Sequence, residues 1–332
     1  MTEIVESTVD TEFYGREYGL NETYGGPIRF EELLHNYESY LTGQRGLSDN
    51  TTRVYLTDLK TFCHYMAIND LSVIDMDRQI LRGYLAWLAT TAKNGIIGYS
   101  RVSITRKISS LRAFYRFLVQ QSWFKANPMP SGRNFQIKTA KSLPVFLSRS
   151  EVNRLLDSPD TSTAYGLRDK AILEILYSCG VRLAELEGIN LSDIKMDTRE
   201  ILVRGKGSKE RWVIFGKPTA LVISQYLQYA RPKLSEQPNT ALFLNRYGKR
   251  LSKRSIEKLV VLFARKAGLK SGIHPHTLRH TFASHMLEGR ADLRVIQLLL
   301  GHSSPSTTQV YTHVTKQEAR AAYLDNHPRA GV

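Results

Sequence analysis

The stretch Asn127 to Ser142 constrains this chain more than any other feature of its sequence. Pro128, Pro130 and Gly132 interrupt helical periodicity there, and Lys138 and Lys141 add positive charge, which together make a linker composition. A linker at that place obliges the chain on each side to bury its own apolar surface, and 332 residues suffice for two such cores. The expected organisation is an acidic flexible arm over residues 1 to 27, a helical domain over 28 to 126, a basic linker over 127 to 145 and a second domain over 146 to 332.

Before the linker the apolar residues recur at helical spacing. Ser48 or Asp49 can cap a helix in which Tyr55, Leu59, Phe62, Cys63 and Met66 share one face. Ser100 precedes a second stripe, Ile104, Ile108, Leu111, Tyr115 and Leu118. Helices near 30 to 42, 49 to 67, 77 to 92 and 100 to 121 predict a small bundle. Beyond the linker, Ser148 to Asp157 and Arg168 to Ser178 read as helices, the latter stopped at Gly180. Ile201-Leu202-Val203 and Trp212-Val213-Ile214-Phe215 are strand-like and flank a tight basic hairpin, Gly205 to Lys209. The later segments are mainly helical, so the expected class is mainly α with a small β-sheet.

A net charge of +15 points to a polyanionic partner. The first 27 residues hold six acids against the single base Arg16, so the positive charge belongs to the remainder. A merely solvated basic surface is the alternative. No uncharged apolar run reaches the roughly 18 residues that span a bilayer, and the acidic start lacks the form of a secretory signal. These features predict a cytoplasmic protein, nucleoid-associated if the polyanion is DNA, with no membrane partner. Cys63 and Cys179 each fall within an apolar helical pattern, which suits reduced core thiols better than a disulfide or a metal site.

Four segments carry chemistry. In His274-Pro275-His276-Thr277-Leu278-Arg279-His280, Pro275 opens a helix that sets His276, Arg279 and His280 on one face and Leu278, Phe282 and Met286 on the other. Two imidazoles beside a guanidinium suit a phosphate and a proton transfer; a histidine cluster bonded within its own domain is the alternative. Zinc is disfavoured, because Thr277 stands where the HExxH pattern needs Glu and no cysteine pair is near. Arg182 and Glu185 stand one helical turn apart; alone they read as a surface ion pair, or else Glu185 orients the arginine or a histidine. The segment Arg204 to Arg211 lacks the GxxxxGK[ST] spacing, so ATP use is unsupported, and a solvated basic turn is its plain reading. Finally, His302 precedes Tyr311 by nine residues in LLGHSSPSTTQVY.

Taken in order, Arg182, Lys206, His276, Arg279, His302 and Tyr311 resemble the active site of the tyrosine recombinases, the Xer type most closely. LRHTFASHML at 278 to 287 and LLGHSSPSTTQVYTHV at 299 to 314 are the most distinctive matching stretches, and the likeness runs from about Phe30 to the C-terminus. The acidic arm departs from the usual Xer start. The resemblance implies a SAM-like helical core-binding bundle and an α/β catalytic domain closing as a C-shaped clamp on duplex DNA. It implies Tyr311 as nucleophile, Arg182 and Arg279 as the phosphate clamp with help from His302, His276 as base and Lys206 as acid. Glu185 and His280 would support them, with no metal, nucleotide or other cofactor.

Arg101, Arg106, Lys107, Arg112, Lys138, Lys141, Lys209 and Arg211 are the candidate DNA contacts. The implied assembly is a homotetramer or a paired heterotetramer on a specific site, with an activating protein as a further partner. The implied roles are chromosome or plasmid dimer resolution, or integration and excision of an element. Thr315 and Glu318 form a capping-box pattern, with Ala319, Ala322 and Tyr323 as an apolar face. The resemblance has that helix dock on a neighbouring protomer; docking within its own domain is the alternative. Two other activities remain: a type IB topoisomerase, disfavoured by the Xer-like motifs, and a DNA-binding protein that does not cut, which would have no need of Lys206, His276 and Tyr311 together.

Overall fold

A computed structural model describes residues 30–93, 96–130, 146–205, 209–235, 237–301 and 315–331. The expectations for the acidic arm and for Lys138, Lys141, Lys206, His302 and Tyr311 lie outside these residues. The chain divides into two units, Met1–Lys141 and Ser142–Val332.

The first unit realises the helical periodicity as α1 (Phe30–Ser39), α2 (Asp49–Ile68), α3 (Arg78–Thr90) and α4 (Arg101–Gln120), with a short hairpin of β1 (Ala92–Lys93) and β2 (Ile96–Ile97) before α4. Asp77 caps α3 by accepting from the backbone amides of Gln79 and Ile80 at 2.8 Å. The stripe of α4 is buried throughout and meets Leu59, Phe62 and Met66 of α2 and Leu81, Tyr84 and Leu88 of α3 in one core. Residues 127 to 130, assigned to the linker, pack on this bundle instead: Met129 is buried in its core and the Asn127 side-chain amide donates to the Arg112 carbonyl.

The second unit is built around α6 (Ala164–Ser178), which starts four residues before the expected Arg168 because Thr163 caps it by accepting from Gly166 N. Ala171 through Tyr177 are all buried, as befits a central helix wrapped on every side. Around it lie α5 (Arg149–Asp157), opened by a Ser148/Glu151 capping box, then α7 (Leu183–Gly188), α8 (Lys217–Gln225), α9 (Arg231–Leu234), α10 (Lys253–Lys266) and α11 (Pro275–Glu288). An antiparallel sheet in the order β3 (Ile194–Lys195), β4 (Glu200–Arg204), β5 (Glu210–Ile214) pairs Val203 with Arg211 and Leu202 with Trp212. A smaller cluster joins α11 to α12 (Leu293–Leu300) and α13 (Lys316–Asn326). No helix among the described residues is long and apolar enough to cross a membrane.

Helix α13 packs within its own unit. Its capping box forms as expected, Ala319 and Tyr323 are buried, and the Tyr323 hydroxyl is 3.0 Å from Ser178 Oγ in the core. The chain beyond it is fixed by an ion pair from Arg329 to the fully buried Glu174 and by Lys217 N donating to the Ala330 carbonyl.

Candidate active site

Helix α6 ends at Ser178, and the chain turns at Gly180 with φ +58°. A Cβ there would sit 2.7 Å from Phe282 of α11 and 2.9 Å from Leu300 of α12, so only glycine permits both the turn and the close packing. The turn delivers Arg182 to the start of α7. Its backbone N–H donates to Glu185 Oε2 at 2.8 Å, Nη1 donates to Glu185 Oε1 at 2.9 Å and Nη2 donates to the Gly301 carbonyl at 3.0 Å. The Glu185 side chain is only 1% exposed, which corrects the reading of a surface ion pair. Spacing of three residues is shared by buried and exposed pairs, and depth comes from what packs above them.

The same carboxylate accepts a two-pronged contact from Arg211 of β5, Nη1 to Oε1 at 2.7 Å and Nη2 to Oε2 at 2.9 Å. Arg211 Nε donates to the Leu299 carbonyl at 3.1 Å. From α11, Arg279 donates through Nη1 to the Gly180 carbonyl and through Nη2 to the Leu300 carbonyl, both at 2.6 Å. Thus Arg211, Arg279 and Arg182 hold the successive carbonyls of residues 299, 300 and 301. The chain then enters the segment containing His302 and Tyr311. Gly205, the residue before Lys206, is also close: a Cβ on it would be 3.5 Å from Glu185 Oε1.

Three guanidinium groups around one carboxylate leave an excess of positive charge. Burial alone would raise the Glu185 carboxyl, but hydrogen bonds and charge from Arg211 and Arg182 outweigh it and hold the group below the ordinary carboxylate range. Burial, then the neighbouring charge of Arg182, lowers Arg279 to about 10, with Glu185 opposing the shift. Arg182 keeps 39% of its side chain open to solvent. Such a cluster suits an anion whose oxygens replace the missing negative charge.

His276 and His280 are exposed on α11, while Leu278, Phe282 and Met286 are buried, as their spacing predicted. Arg279 departs from its expected polar face and is buried, drawn inward by the two carbonyls. Among the candidate DNA contacts, Arg101 and Lys209 are exposed and Arg112 reaches the Pro130 carbonyl at 3.4 Å. Lys107 is a correction: it is buried, donates to Asp58 and Thr61, and has no open face for a phosphate. Arg106 shares that Asp58 at 2.6 Å and stays half exposed.

Arg211 is a second correction, since its side chain turns toward Glu185. Strand alternation carried the signal, because Arg211 shares a face with the buried Val213. Sequence reasoning also missed His285, buried with its Nδ1 2.8 Å from the Tyr177 hydroxyl, and the buried His327.

The profile of the Phage integrase family matches residues 145–318, and that of the phage integrase N-terminal SAM-like domain matches residues 34–122. The tyrosine recombinase XerC of Oceanobacillus iheyensis is 39% identical over 306 residues, covering 91% of this chain and 98% of that protein. The tyrosine recombinase XerD of Listeria innocua is 40% identical over 304 residues, covering 90% and 99%. Among solved structures, the XerH site-specific recombinase bound to palindromic difH substrate in a post-cleavage complex matches with a TM-score of 0.66 at 23% identity, covering 88% of this chain and 84% of that one. A lambda integrase tetramer bound to a Holliday junction matches at 0.63 and 16%, covering 83% and 75%. At such identities the structural likeness speaks to fold.

Proposed function

This chain belongs to the phage integrase family, the tyrosine recombinases, as an Xer-like site-specific DNA recombinase, and on that premise we propose how its own residues carry out strand transfer. The reading rests on one observation: Arg279 and Arg182 grip the consecutive carbonyls of Leu300 and Gly301, at the entrance to the segment that holds His302 and Tyr311.

A phosphodiester resists attack because its anion repels nucleophiles and its leaving alkoxide is strongly basic. Arg182, with its open side chain, meets the nonbridging oxygens, and Arg279, buried behind it on the Gly180 and Leu300 carbonyls, adds its positive charge, assisted by His302. The Tyr311 hydroxyl attacks phosphorus and the bond to the 5′ oxygen breaks. With a free pKa near 10, ionising a tyrosine at neutral pH costs about 4 kcal/mol, so a base must take its proton as attack proceeds. His276 is that base. Lys206 gives a proton to the departing 5′ oxygen, a task for which an arginine is too weak an acid.

The product is a 3′-phosphotyrosyl ester and a free 5′ hydroxyl. Because the ester is exchanged and not hydrolysed, a 5′ hydroxyl from another duplex reverses the step, and neither nucleotide nor metal enters the chemistry. Two strand exchanges through a Holliday junction recombine two sites, in chromosome or plasmid dimer resolution or in integration and excision of an element.

The working assembly in this reading is a homotetramer or paired heterotetramer on specific duplex DNA, and an activating protein is a further partner. For α13 to dock on a neighbouring protomer it must first leave the seat where Tyr323 is buried.

The test begins with a duplex that the protein enriches from a random DNA pool, rebuilt with a nick beside the cleavage point so that the cut strand escapes. The expected result is an adduct that survives denaturation and forms in the presence of a chelator. Lys206→Ala should abolish it, and sulfur in place of the 5′ oxygen should restore it, because a thiolate leaves without a proton. No adduct with the parent protein, or none restored by sulfur, contradicts the scheme.

A further inference from the structure

We infer that Arg211 is a positioning residue for strand cleavage, acting through Glu185 to hold together the three segments that bring the catalytic side chains; this rests on the function proposed above. Its sequence context, in the basic run Arg204 to Arg211, suggested a phosphate contact. The geometry points elsewhere. Three of its N–H groups are committed within the protein, two to the Glu185 carboxylate and one to the Leu299 carbonyl, and its side chain is only 17% exposed.

Each contact reaches a different catalytic element. Glu185 orients Arg182, accepting from both its backbone and its guanidinium. The Leu299 carbonyl belongs to the end of α12, three residues before His302. Beyond it Gly301 turns with φ +65° directly over the Arg211 guanidinium: a Cβ there would be 2.9 Å from Cζ and from Nη1, so a side chain at 301 and Arg211 in this place exclude each other. Arg211 itself stands on β5, opposite Val203 of β4; Lys206 falls between these two strands in the sequence, and Gly205, the residue before it, lies against the same Glu185 carboxylate. One guanidinium therefore links the hairpin of the general acid, the helix start of the phosphate clamp and the entry to the nucleophile segment.

A fixed carboxylate has a second consequence. With Arg211 absent, Glu185 is left to Arg182 alone and is free to follow it toward the phosphate, where a carboxylate repels the anion. Positioning and charge both predict a loss in the chemical step, with DNA affinity spared because Arg211 offers the backbone little open surface.

The experiment compares the parent, Arg211→Ala, Arg211→Lys, Glu185→Ala and the double variant Arg211→Ala/Glu185→Ala on the nicked duplex. It measures DNA affinity and single-turnover cleavage, with oxygen or sulfur at the leaving position. Arg211→Ala should slow cleavage of the ordinary duplex by roughly ten- to a hundredfold while binding changes less than about threefold, and the double variant should be no slower than Glu185→Ala, since residues acting as one unit are not additive. Sulfur should recover part of the Arg211→Ala loss, the part owed to a displaced Lys206. General structural damage would gain nothing from sulfur.

Additive losses, absence of sulfur recovery, or weakened binding with cleavage intact would each overturn the role. If Arg211→Ala does not fold, Arg211→Lys decides: a lysine keeps the charge but cannot span Glu185 and Leu299, so cleavage at the parent rate overturns the inference and an intermediate rate supports it. Lack of any adduct from the parent protein would count against the proposed function, whereas an active parent with an equally active Arg211→Ala would count against the positioning role alone.

Discussion

His327 shows what burial does to an imidazole in this fold. It is 4% exposed, stacks on Tyr323 with ring centroids 4.9 Å apart, and accepts from Arg329 N through Nδ1 at 3.0 Å. Burial first, then the charges of His285, Arg329 and Arg149, lowers it from 6.5 to about 3. Above pH 6.5 it is neutral folded and unfolded, and the native state keeps its full advantage. Between 6.5 and 3 only the unfolded chain takes up the proton, so stability falls with pH, by about 2 kcal/mol between pH 7 and 5 for this one group. Urea midpoints at the two pH values should show that loss in the parent and a smaller one in His327→Phe, which keeps the stacking; equal pH dependence would refute the assignment.

At the clamp, Arg279→Lys should reduce cleavage on the order of a hundredfold, because one ammonium cannot span the Gly180 and Leu300 carbonyls that it ties together beside Arg182. Single-turnover rates measure it. That His276 and Arg279 share one helix was legible from their spacing, whereas the inward turn of Arg279 was not. The depth of Glu185 was not, because burial is set by residues such as Arg211, 26 positions away.

Among the elements, α13 separates what periodicity reveals from what it leaves open. Its capping box and apolar face were legible because both are local. Which surface that face meets was not, since Tyr323 finds Ser178 across 145 residues of sequence. Two glycines admit the tail: a Cβ at Gly216 would overlap the Arg329 carbonyl, and one at Gly289 the Asn326 carbonyl. Gly216→Ala should therefore unseat residues beyond 326 and expose them to limited proteolysis, while the parent resists; equal resistance would count against the seat. Thr315→Ala removes one cap bond and should cost about 1 kcal/mol in a urea titration. The helical bundle and the β4–β5 hairpin were foreseen almost to the residue, because alternation and three-to-four spacing are properties of the elements themselves.

For the whole molecule, the central linker foretold two units and the charge pointed to a polyanionic partner, but charge does not say which cations face outward. Lys209 is exposed and Lys107 is sealed against Asp58. Lys209→Ala should therefore flatten the salt dependence of DNA binding by about one phosphate's worth, a slope change near 0.9, whereas Lys107→Met should leave the slope unchanged and lower stability. Reversed results would mean that the bundle opens on DNA.

The central claim concerns one bond. Digestion of the covalent adduct and mass spectrometry of the peptide that keeps the nucleotide identify the residue and the strand end joined. A 3′ phosphate on the peptide containing Tyr311 is the predicted result, and a phosphate on any other residue, or a 5′ linkage, would contradict the mechanism.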